Sequence, residues 1–141
     1  MKKCLFCDIA KNPEIRHTVY EDEDVIAFLD IHPVNPGHTL IIPRFHATNI
    51  YDIPKPTLAR IAEVSKDISE KLRDRMKAQG ISILQMNERE GDQDIMHYHV
   101  HVLPRMTDDW FHRVVTARAS KVQESINPTK EELDSVAKIL R

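Results

Sequence analysis

An α+β domain, with one antiparallel sheet of about five strands, one long helix and one C-terminal helix, is predicted by three features of the chain. Short apolar runs are separated by turn residues, the stretch 57–78 carries apolar side chains at helical spacing, and His97-Tyr98-His99-Val100-His101-Val102 alternates strictly. The 141 residues suit a single domain spanning 1–141, long enough to bury a core. No repeat, low-complexity tract or linker divides it.

The elements follow in order. Thr18-Val19-Tyr20 is a short strand, closed by the acidic turn 21–24. Val25 to Asp30 is a strand buried on both faces, because Val25, Ala27 and Leu29 alternate with the equally apolar Ile26 and Phe28. Pro33-Val34-Asn35-Pro36-Gly37 breaks it, and 38–43 is the third strand. Leu58, Ile61, Val64, Ile68 and Leu72 form the inner stripe of the long helix, with Arg60, Glu63, Lys66, Glu70 and Lys71 outside. Gly80 is a natural residue just past its end. A fourth strand covers 81–87, and the charged loop 88–94 leads into the histidine strand. Trp110 and Phe111 are core or interface residues. Thr129 to Glu132 reads as a capping box opening an amphipathic C-terminal helix.

The histidine row carries the chemistry. Successive side chains of a strand point to opposite faces, so His97, His99 and His101 share one face while Tyr98, Val100 and Val102 point to the core. Solvation alone does not call for imidazole three times, whereas a base, nucleophile or metal ligand does. One ion cannot hold all three, since the outer Cα atoms are about 13 Å apart at strand rise. A row of acid–base and nucleophilic groups serving one substrate is the alternative to a metal pair, and polar decoration of an exposed strand is the bland one.

Composition narrows the setting. A net charge of −2 gives no general attraction for a nucleic acid polymer, although single basic residues can still hold a phosphate. No stretch approaches the roughly 20 apolar residues that cross a bilayer, and Asp8 and Lys11 interrupt any signal-peptide core, so a cytoplasmic protein with no membrane contact is expected. The only cysteines, Cys4 and Cys7, form a CxxC pair. In a reducing compartment that spacing serves a metal, a redox couple or two plain thiols. Zinc requires two further ligands, for which His46 and the end of the histidine row are candidates.

His97-Tyr98-His99-Val100-His101-Val102-Leu103 matches the pattern that names the histidine-triad (HIT) superfamily. Cys4 to Ile9, Val19 to Asp22, Ala27 to Ile31 and Pro36 to Pro43 each resemble segments of its bacterial members, in the same order, so the resemblance covers about 4–106 and leaves 107–141 as an extension with a helix. It implies the HIT fold and a nucleotide substrate. The implied reaction is hydrolysis or nucleotidyl transfer at the α-phosphate of a phosphoramidate, dinucleoside polyphosphate or related conjugate. By resemblance His99 is the nucleophile forming a nucleotidyl-histidine, His101 contacts the α-phosphate and aids proton transfer, and His38 assists their hydrogen bonding. Asn87 and Gln93 would bind phosphate oxygens or the leaving group, and Asp30 the ribose hydroxyls. The same resemblance implies one structural zinc per chain on Cys4, Cys7, His46 and His97, and a homodimer joining two sheets.

The loop before the triad departs from the family. It is one residue short, with Arg89 and Asp92 where glycine is usual, and its carboxylates would repel a phosphate. Two rivals to the hydrolase follow: a catalytically weak nucleotide-binding or sensing module of the same fold, and a metallohydrolase using His99 and His101.

Overall fold

The computed structural model describes residues 3–15, 17–112, 129 and 131. Two compact units, Met1–Thr107 and Asp108–Arg141, make up the chain, and the boundary falls where the family resemblance fades. The predicted capping box and C-terminal helix lie outside the described residues. Within the second unit Asp109 accepts the His112 N–H at 2.8 Å, and the Trp110 and Phe111 rings meet edge-on at 6.0 Å.

The first unit is a five-stranded antiparallel sheet in the order β1-β2-β3-β5-β4, formed by Thr18–Glu21, Val25–Leu29, Thr39–Pro43, Gly80–Gln85 (β4) and Val100–Arg105 (β5). α1 (Leu5–Lys11) covers one face and α2 (Lys55–Met76) the other. Strand alternation sorts the core into two layers. Val25, Ala27, Ile41, Tyr98, Val100 and Val102 pack with the α2 stripe of Ile61, Val64, Ile68 and Leu72. Ile26, Phe28, Leu40 and Ile42 pack with Phe6, Ile9 and Ala10 of α1. Both layers are buried, which is why β2 and β3 read as continuous apolar runs.

Three differences from the sequence reading have local causes. α1 was not predicted; its Phe6, Ile9 and Ala10 have helical spacing, but the element is only seven residues long and has no side-chain cap. α2 ends at Met76 rather than near Gly80, because Lys77 takes the left-handed conformation and the Ala78 N–H returns to the Leu72 carbonyl. Gly80 instead opens β4 opposite Arg105. Ladder pairing in β5 starts at Val100, not His97. Residues 97–99 keep the strand's alternation but bond to a loop, Tyr98 N–H donating to the Ala47 carbonyl at 2.7 Å.

Glycine is required at position 37. It occupies the third place of the 35–38 turn with φ +95°, after Pro36, and the His38 N–H closes the turn on the Asn35 carbonyl. A Cβ there would lie 2.8 Å from Leu72 and 2.9 Å from Met76. The turn is therefore pressed onto α2, and it delivers His38 to the opposite face. Among the described residues no helix is long and apolar enough to cross a membrane.

Asp22 ties β1 and β2 to α2. Its carboxylate accepts the N–H groups of Asp24 and Val25, the Tyr20 hydroxyl and the Arg60 guanidinium. Burial alone would raise its pKa, but these donors outweigh burial and hold it at about 2. A depressed carboxyl contributes stability above its unfolded pKa that is lost as pH falls through the folded value. Asp22→Asn is expected to cost about 1 kcal/mol near neutrality, allowing for partial exposure. Urea melts should show that deficit shrinking between pH 4 and pH 2; a constant deficit would contradict the assignment.

Candidate active site

Alternation brings the three histidines onto the α1 face, where two separate arrangements form. The first is a cage. Cys4 Sγ lies 3.5 Å from His97 Nδ1, and Cys7 Sγ lies 3.5 Å from His97 Nδ1 and 3.3 Å from His46 Nδ1. The four ligand atoms all lie within 4.8 Å of one another. A tetrahedron with Zn–S near 2.3 Å and Zn–N near 2.0–2.1 Å has S···N edges of about 3.6 Å, so the spacing fits a closed Cys₂His₂ set. Arg44 helps place it: its guanidinium donates to the Ala10 carbonyl at 2.9 Å, tying the end of α1 to the chain just before His46.

His97 is wholly buried, and its Nε2–H donates to the Pro43 carbonyl at 3.0 Å. That bond leaves the Nδ1 lone pair facing the sulfurs, the support that metal-ligating imidazoles receive. Burial, reinforced by the nearby His46 and His99, lowers its pKa to about 4 despite the Pro43 carbonyl. Burial and the adjacent Cys4 push the Cys7 thiol up to about 11, so a dication binding here must displace protons.

The second arrangement lines a cavity of about 280 Å³ under α1, walled by Leu5, Phe6, Ile9 and Phe28 and carrying Asp30, Asp94, His99 and His101. Its protonation pattern follows from backbone partners. His99 Nδ1 is 2.8 Å from the His97 carbonyl, which can only accept, so Nδ1 carries the proton and Nε2 holds a lone pair. His38 Nδ1 accepts the Val34 N–H at 3.1 Å, so its proton sits on Nε2, which donates to His101 Nδ1 at 2.9 Å. His101 therefore carries its own proton on Nε2, a buried atom with no hydrogen-bond partner among the described residues. The rings of His99 and His101 are 5.0 Å apart. A lone pair and an unpartnered N–H thus stand side by side in one cavity, fitted to attack an electrophile and to bind its oxygen.

Asp30, His38 and His101 also form an acid–imidazole cluster, with Asp30 Oδ2 3.5 Å from His38 Nε2. The 2.9 Å N···N contact within it is a hydrogen bond rather than the edge of a metal site. Asp30 keeps acceptor capacity, since one oxygen takes only the His32 N–H.

The remaining candidates lie elsewhere. Gln93 is buried, receives the Glu88 N–H on Oε1 and donates Nε2 to the carbonyls of Thr48 and Ile95. Asn87 accepts the Ile50 N–H and pairs reciprocally with Gln85. Neither lines the cavity; both brace the loops around it. Two residues of the loop other than its Gly91 hold positive φ, Glu88 at φ 63°, ψ 167° and Asp92 at φ 65°, ψ 23°. Glu88 is held there by Asn49, which donates to its carboxylate at 2.8 Å. Sequence reasoning missed Asp94, whose Oδ1 is 3.6 Å from His99 Nε2. The signal available was an acid in the loop entering the triad.

Residues 12–108 match the HIT domain family model. The chain is 36% identical over 104 residues to "Protein hit" of Bacillus subtilis (strain 168), covering 74% of this chain and 72% of that protein. It is 34% identical over 102 residues to adenosine 5'-monophosphoramidase HNT1 of Saccharomyces cerevisiae, covering 72% and 62% of the two chains. Among solved structures, a Zn-bound histidine triad family protein from Mycobacterium smegmatis superposes with a TM-score of 0.72 at 35% identity, covering 77% of this chain and 78% of that one.

Burial, then the neighbouring His99 and His38, lower the His101 pKa to about 4. A buried neutral histidine must charge in acid, so the native state should lose stability as pH falls from about 6.5 toward 4. Nitrogen-detected NMR at pH 7 should find His101 neutral with its proton on Nε2 and His99 with its proton on Nδ1. The opposite tautomer at either residue would contradict the hydrogen bonds assigned to His99 and His38.

Proposed function

This chain belongs to the HIT domain family, and from that premise we propose that it hydrolyses, or transfers the nucleotidyl group of, a nucleoside phosphoramidate, dinucleoside polyphosphate or related conjugate. One observation carries the reading: the His99 Nε2 lone pair lies beside the unpartnered His101 Nε2–H in a cavity with one apolar wall. The apolar side chains suit a base, which has no polar partner there, and Asp30 suits ribose hydroxyls. Nε2 of His99 attacks the α-phosphorus, and the bond to the leaving group breaks. The departing atom takes its proton from water while His101 Nε2–H stabilises the developing negative charge. Water then attacks the nucleotidyl-histidine, releasing the nucleoside monophosphate and restoring His99. His38 acts through His101 by fixing its tautomer. Asn87 and Gln93 serve by holding the loops rather than by direct contact in this conformation.

Cys4, Cys7, His46 and His97 are assigned to one structural zinc per chain, supported by the tetrahedral spacing and the Zn-bound relative. A zinc held there would tie α1 to the segment carrying His99 and would take no part in chemistry on the substrate. The family reading also includes a homodimer; β4 is an edge strand and leaves Ile83 more than half exposed, which suits pairing with a second copy.

His99→Asn keeps the volume and removes the nucleophile. Turnover of adenosine phosphoramidate should fall by at least about 10³-fold with AMP binding retained. Near wild-type turnover would exclude the covalent route, and wild-type binding without turnover would favour a sensing module.

Elemental analysis should find one zinc per wild-type chain and none in Cys4→Ser/Cys7→Ser. The variant should also melt at lower temperature, because binding free energy of a structural metal is folding free energy. Zinc retained by the double variant would overturn the ligand assignment.

A further inference from the structure

The cavity holds two carboxylates in different states. Asp30 is engaged, with one oxygen on the His32 N–H and the other beside His38. Asp94 is not neutralised. Its Oδ1 accepts the N–H of Ile95 at 2.8 Å and stands 3.6 Å from His99 Nε2, and among the described residues no lysine or arginine pairs with it. None lines the cavity either. The Asp94 side chain is 77% exposed whereas that of His99 is 2% exposed, so the carboxylate sits at the mouth and the attacking nitrogen just behind it. With the base against the apolar wall, a leaving group lies toward that mouth and departs past Asp94.

We propose that Asp94 sets leaving-group specificity, so that the site favours nucleoside phosphoramidates whose leaving amine bears a further positive charge and disfavours polyphosphate leaving groups. This deepens the phosphohydrolase reading and rests on it. The transfer is unchanged: the His99 Nε2–P bond forms, the P–N bond breaks, and the nitrogen keeps the electron pair, gains a proton from water and departs as the amine. Asp94 touches neither bond. It contributes a fixed negative charge that attracts an ammonium and repels a second or third phosphate. Across a solvated mouth one unit charge is worth about tenfold in rate at low salt. The preference should fade as ionic strength rises, because the carboxylate is exposed.

The test compares two adenosine phosphoramidates matched in shape, made with ethylenediamine (cationic) and n-propylamine (neutral), together with a dinucleoside polyphosphate. For the wild type, kcat/KM for the cationic amidate should exceed that for the neutral one about tenfold at low salt. In Asp94→Asn that ratio should fall about tenfold, and the polyphosphate should improve relative to the neutral amidate. An equal ratio in the two proteins would overturn the proposal. If the wild type cleaves none of the three, the hydrolase reading fails, and binding decides the inference separately. Both amidates are then titrated into His99→Asn and His99→Asn/Asp94→Asn. Tighter binding of the cationic amidate that disappears with Asp94 upholds the charge selection, and equal binding in both proteins ends it.

Discussion

The hydrogen bond from His99 Nδ1–H to the carbonyl of His97 is the contact on which the site depends. It selects the tautomer that leaves Nε2 free, and it makes His97 a residue with two duties. The His97 side chain completes the Cys₂His₂ cage, while its main-chain oxygen orients the nucleophile. The Pro43 carbonyl fixes the ring from one side and the Ala47 carbonyl fixes the next peptide through Tyr98. A shift of the cage would therefore move the acceptor of His99, although no cage ligand touches the cavity. Phe6 reinforces this link, lying edge-on to both His97 and His99 at 5.8 and 5.2 Å. The helix that carries one cage ligand, Cys7, also walls the substrate cavity.

His101 is governed from the other side. Its proton position traces back to a backbone amide, Val34 N–H, through the ring of His38. That path depends on the Pro36-Gly37 turn, whose closeness to α2 excludes a larger residue at position 37. Burial keeps both His38 and His101 below the usual histidine range, so the relay is neutral at physiological pH and acts by hydrogen bonding, not by charge. An uncharged donor is suited to meeting a phosphate oxygen whose charge grows during reaction, and Asp94 then becomes the dominant unpaired charge at the cavity mouth.

Much of this was legible in the sequence because it follows from periodicity. Two-residue alternation placed Tyr98, Val100 and Val102 in the α2 layer and the histidines opposite, and it did so even where ladder pairing stops short of His97. The continuous apolar run of β2 signalled a strand covered on both faces, although the cover on one face, α1, was not recognised. The CxxC pair, whose second cysteine lies in the seven residues of α1, read as a motif before the segment read as a helix. The end of α2 was misplaced for a similar reason: Gly80 was the more obvious breaker, but Lys77 accepts the left-handed conformation once Ala78 can bond back to Leu72.

The parts that were not legible depend on partners far away in sequence. Gln93 and Asn87 carry amides suited to phosphate, and nothing local reveals that Thr48 and Ile95 take both Gln93 N–H donors or that Ile50 and Gln85 engage Asn87. The loop holds one glycine, Gly91, yet its positive φ values fall on Glu88 and Asp92. The loop's shape is tied down by Asn49 and Gln93, whose side chains bond Glu88. On the proposed assignment the acid near the end of this loop, Asp94, would select the leaving group that stands before His99, while attack on phosphorus would stay with His99 and its neighbour His101.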